Sequence, residues 1–149
     1  MRTLMMAALL AIGSVGPALA QGDVIAARRE GLRGVGANME AIAAVAQARG
    51  DARPTVARID EMTAFFRTFG ERFPTASLTP PVAQGTQPGQ TRALAAIDGN
   101  RAGFETARAN MVTALGTLRT AAEAGSISPD LLRATGGTCG ACHQQFRAR

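Results

Sequence analysis

Near the end of the chain stands Cys139-Gly140-Ala141-Cys142-His143, which holds both cysteines and the one histidine of the sequence. Two thiols at this spacing with an imidazole directly behind them form C-x-x-C-H, the pattern of covalent haem attachment. Each thiol can add across one haem vinyl group, giving two thioethers at fixed places on the ring edge. On a helix, positions i, i+3 and i+4 share a face, so the pattern aims His143 at the iron as an axial ligand. Three other chemistries use similar residues. A thioredoxin-like redox pair belongs at a helix start within a β/α pattern, and the chain has no strand-period segment. Zinc needs further Cys, His or acidic ligands at the usual spacings. A disulfide across a two-residue gap closes a small loop, a poor staple, and leaves the histidine unexplained. Haem attachment accounts for all three residues.

Cys139, Cys142 and His143 must be held by a helix, and the rest of the chain reads as helices to hold that one. Residues 23–48 place Ile25, Leu32, Val35, Met39, Ile42 and Ala46 on a seven-residue repeat, with Arg28 at a seam position where an apolar group is expected. Gly31, Gly34 and Gly36 weaken this helix; they suit either close helix contact or the approach of something bulky. Pro54 fits the first position of a second helix, whose stripe runs Val56, Ile59, Met62, Phe66, Phe69 and Phe73 up to Pro74. Residues 74–90 are rich in Pro, Thr, Gly and Gln and read as a long loop. A third helix is expected from Thr91 to Ala124, with Ile97, Phe104, Met111, Leu115, Leu118 and Ala122 inside and Gly125 as its cap. Ser128 as N-cap and Pro129 at the first turn open the fourth helix, and Gly136-Gly137 is expected to bend it before the cysteines. The fold class is all-α, an antiparallel up-down four-helix bundle.

The first twenty residues are set apart from that fold. Arg2, a short apolar run from Leu4 to Ile12, and Ala18-Leu19-Ala20 make a signal peptide, 1–20, with 21–149 as one haem domain. No stretch is long enough to span a bilayer. The expected location is therefore the periplasm of a Gram-negative cell. All 16 basic residues are Arg, against 11 acids, for a net charge of +5. No Arg-rich run is interleaved with aromatics, which argues against nucleic acid as a partner. Aromatics are scarce, with six Phe and neither Trp nor Tyr, which leaves room for a flat cofactor.

A leader, four helices and C-x-x-C-H six residues from the end of the sequence resemble the cytochrome c′ and cytochrome c-556 family. Arg28-Arg29-Glu30-Gly31-Leu32 is similar to that family's Arg-x-x-x-(Leu/Met) stretch on the first helix. Gly36-Ala37-Asn38-Met39 is similar to its next turn, and Phe73-Pro74 to the end of its second helix. The resemblance implies one haem c per chain, bound through Cys139 and Cys142 with His143 on the iron. Low-spin relatives place Met at position 32; Leu32 has no lone pair, so a five-coordinate, high-spin iron under an apolar cap is implied. Leu32 fits equally well as ordinary core, and the two roles are compatible. The alternative is a low-spin, six-coordinate electron carrier resembling cytochrome c-556. Met39, Met62 and Met111 sit on apolar stripes, where Met usually fills gaps.

Arg28 matches the family's first-helix Arg and suits a haem propionate, against the alternative that it snorkels to solvent. Arg147, one turn past His143, stands where the family has a basic residue near the proximal imidazole; a cation favouring a helix C-terminus is the competing account. Arg101 and Arg108 read as surface charges. The family's aromatic next to Ile97 is missing, since Asp98 stands there, whereas Phe146 keeps the aromatic near the end. The implied function is electron transfer, binding of nitric oxide or carbon monoxide, or both, and not catalysis. Redox proteins and small gases are the implied partners, and a homodimer through the first two helices is implied as well.

Overall fold

The computed structural model describes residues 18–78 and 89–149. Helix α1 spans Ala18–Gln47 and turns its repeat inward at Ile25, Val35, Ile42 and Ala46, all buried. It ends where Arg49 takes a positive φ of 52° beside Gly50. One 3-10 turn, Arg53–Thr55, carries Pro54 and leads into α2, Val56–Arg67. The expected second stripe outlasts this helix. Beyond Thr68 the chain tightens into a 3-10 segment, Phe69–Arg72, so Phe69 and Phe73 are buried from outside α2. Pro74 explains the stop, because its ring bars the preceding residue from helical geometry. A further 3-10 turn, Thr75–Ser77, follows.

The expected third helix is corrected. Residues 91–95 are not helical; α3 is a single turn, Ala96–Gly99; and α4, Arg101–Glu123, starts afresh. Asn100 causes the break. Its side chain accepts a hydrogen bond from the Gly103 N–H at 3.1 Å, satisfying a donor that a helix start leaves orphaned. Gly125, with φ of 92°, caps the far end as expected. Helix α5 spans Pro129–Phe146, and the Ser128 side chain accepts from Leu131 N–H. It stays helical through Gly136 and Gly137, the pair at which a bend is expected. A Cβ at either glycine would meet nothing within 4 Å, so nothing pushes on the helix there, and packing of its flanks outweighs the poor propensity.

Helices α1, α2, α4 and α5 form the antiparallel bundle. At one end Ile42, Ile59, Met62, Leu115, Leu118 and Ala122 fill the interior. Gly31 lets α1 lie against the Phe65 ring, which a side chain there would strike. None of the described helices is long and apolar enough to cross a membrane. The expected leader lies, but for its last three residues, outside the described residues.

Candidate haem site

The other end of the bundle is hollow. A cavity of about 720 Å³ opens between α1, α4 and α5 and the segments at 69–73 and 90–93. That volume falls in the range of roughly 300–1,000 Å³ usual for cofactor pockets. Cys139, Cys142 and His143 all line it, as i, i+3, i+4 spacing on α5 requires. Both cysteines are free and half-buried. Burial pushes both thiols up from their ordinary range, and Cys139 adds to the effect at Cys142. His143 is pushed down, first by burial and then by the charges of Arg147 and Arg92. A lowered imidazole is neutral at pH 7, the form that offers a lone pair to a metal. Among the described residues there is no group of three or more His, Cys, Asp or Glu able to hold a metal ion, so the zinc alternative finds no ligand set there.

The aromatic wall was not foreseen. All six phenylalanines join in one chain of ring contacts, from Phe65 and Phe66 through Phe69, Phe73 and Phe104 to Phe146. Five of the rings line the cavity. Sequence periodicity marks Phe66, Phe69, Phe73 and Phe104 as inward, but the union of the rings around a void is a tertiary fact.

Leu32 points into the cavity and stays 36% exposed, the exposed large hydrophobic among the described residues. Val35, Gly36 and Met39 line the same side of α1. Met111 also lines the cavity, but its sulfur accepts a hydrogen bond from the Thr138 hydroxyl at 3.3 Å. Met62 is buried in the filled end and does not reach the cavity.

Arg28 is 3% exposed, which overturns the snorkelling alternative. Its guanidinium donates to Arg72 O at 3.0 Å, Ser77 Oγ at 3.2 Å and Thr91 Oγ1 at 2.7 Å, and lies 4.3 Å from the Phe73 ring centroid. With no carboxylate beside it, burial pushes this guanidinium down to about 10. Arg147 and Arg108 also line the cavity. Arg108 is not a mere surface charge, since it donates to Phe66 O at 3.3 Å and pairs with Glu105 at 2.5 Å. Arg101 likewise donates to Phe73 O at 3.0 Å, fastening α4 to the end of the second stripe.

Two features test whether the cavity suits haem. Arg28, Arg29, Arg33, Arg92, Arg108 and Arg147 line it and no Asp or Glu does; Arg33 and Arg108 pair with Glu30 and Glu105, but the lining itself carries only positive charge, which suits propionates. The Arg92 Nε is buried without a hydrogen-bond partner among the described residues, an orphan donor suited to an anionic oxygen. The residues present fit the group. Sequence reading missed Arg92 because it took the residue for the first turn of a helix.

The comparisons with known proteins agree with this geometry. Residues 23–147 match the family described as cytochrome C′. Among solved structures, cytochrome c′ from Rubrivivax gelatinosus aligns at TM-score 0.69 and 23% identity, over 86% of this chain and 97% of that one. Cytochrome c′ from Rhodobacter Spheriodes aligns at 0.64 and 27%, over 87% and 98%. Cytochrome c′ from Thermochromatium tepidum aligns at 0.65 and 22%, over 87% and 97%. A search of curated proteins gives no match.

Proposed function

The chain belongs to the cytochrome c′ family, whose members bind one covalently attached haem c per chain, and we propose that it serves as an exported carrier of electrons and small gaseous ligands. One observation carries the reading: Cys139, Cys142 and His143 share the face of α5 that opens on the arginine-rimmed cavity. Haem c, when bound, supplies a one-electron iron centre that can also take a small gas.

The residues then divide the work. Cys139 and Cys142 would provide the two thioether sulfurs, and His143 a nitrogen for the iron. Leu32 offers only carbon on the α1 side of the cavity, which supports a five-coordinate, high-spin iron over the low-spin alternative. Leu32 likewise offers no hydrogen bond to bound oxygen from the α1 side, so nitric oxide and carbon monoxide are the favoured gases in this reading. Arg28 and Arg147 supply positive charge near the propionates and the proximal imidazole. A role as carrier rather than enzyme is part of the same reading. Cytochromes c′ are typically periplasmic, and residues 1–20 provide the leader that would send this one there. A homodimer through α1 and α2 belongs to the reading; sedimentation showing monomer at high concentration would overturn that part.

The test is the exported protein made with a competent haem-ligation system. Its mass should exceed the bare chain by one haem under denaturing conditions, and its resting absorption spectrum should be high-spin. A colourless chain of unmodified mass overturns the haem reading. A low-spin spectrum of Met-ligated type overturns the coordination.

A further inference from the structure

Arg92 stands on the non-helical segment before α3, and its backbone is fastened to the end of the haem-bearing helix. Arg92 O accepts the Ala148 N–H at 2.8 Å, and Leu94 N–H donates to Phe146 O at 3.0 Å. Between them Ala93 and Arg147 form an antiparallel bridge. The side chain of Arg92 lines the same cavity as His143. Its Nε is buried and unmade among the described residues, a condition that is destabilising when nothing answers it. No carboxylate of the chain is placed to answer: none lines the cavity, and residues 79–88 contain no Asp or Glu. Arg28 differs, because its terminal nitrogens are already spent on Arg72 O, Ser77 and Thr91.

We propose that Arg92 is a positioning residue that takes a carboxylate of the bound haem and, through its charge, raises the reduction potential of the iron. The inference rests on the haem reading above and adds a residue and a property to it. A fixed cation near the iron favours the reduced state, which carries one positive charge fewer. Anchored by the tail that follows His143, Arg92 holds that charge at a set place rather than on a swinging side chain.

The experiment is a spectroelectrochemical titration of haem-loaded wild type, Arg92→Gln, Arg92→Lys and Arg133→Gln. Mass is measured first, so that a haem-free wild type, which would sink the haem reading itself, is recognised before any titration. At fixed poise Arg92→Gln should lower the reduced-to-oxidised ratio by about tenfold, the size expected for one unit charge in a partly solvated site. Arg92→Lys keeps the charge and should stay within about threefold of wild type. Arg133, paired with Asp130 on the surface near the start of α5, should change nothing when replaced. An Arg92→Gln ratio within about twofold of wild type, or an equal drop in Arg133→Gln, overturns the proposal. Should Arg92→Gln fail to accumulate, a tenfold drop in Arg92→Lys would overturn it as well.

Discussion

The two ends of the bundle are written in one pattern and built to opposite purposes. Where α1 ends and α2 begins, Ile42, Ile59, Leu115, Leu118 and Ala122 close on one another with almost no exposure. Where α1 begins and α5 ends, the same repeat brings Leu32, Val35, Phe69, Phe104 and Met111 to the edge of a hollow. A seven-residue repeat tells which side of a helix faces inward. It does not tell whether the inside is full. The difference lies in side-chain shape: branched aliphatics interdigitate to crystal-like density, whereas edge-to-face rings and long guanidiniums stand around a space.

Substitutions at the two ends should therefore fail differently. The largest effect is expected at the hollow end, where Cys139→Ser with Cys142→Ser should abolish covalent haem altogether, read as loss of the mass increment and of haem stain in a denaturing gel. If the pigment survived denaturation in that variant, the contrast would lose its basis. At the filled end Leu118→Ala should cost about 3 kcal/mol of stability in denaturant titration, the usual toll of a buried cavity. Ser128→Ala, which removes the cap of α5, should cost about 1 kcal/mol by the same measurement. Leu32→Ala should cost less than about 1 kcal/mol, since that side chain is already partly exposed, yet it should speed carbon monoxide uptake in stopped flow. A stability loss at Leu32 matching that at Leu118 would erase the distinction between the two ends.

How much of this was legible from residues alone follows from the range of the forces involved. Cys139, Cys142 and His143 are contiguous on one helix, so their common face is a local consequence of spacing. Ser128, Pro129 and Gly125 are local signals too, and each sits where it was expected. Asn100 was legible in principle as an N-cap but was passed over inside a long apolar period. The environment of Arg28 could not have been read, because its oxygen partners at Arg72, Ser77 and Thr91 lie 44 to 63 positions away. Arg92 was hidden for a related reason: the strand-like pairing beside it comes from residues 146–148, more than fifty positions later.

The guanidinium of Arg28 touches Ser77 and Thr91, which flank the Pro-rich connection at 79–88. Ser77 and Thr91 thus meet at a single buried knot. The flanks of the connection are already held together, so inserting extra residues should add only a slowly growing, logarithmic penalty. A tag or reporter peptide grafted there should therefore cost the fold little.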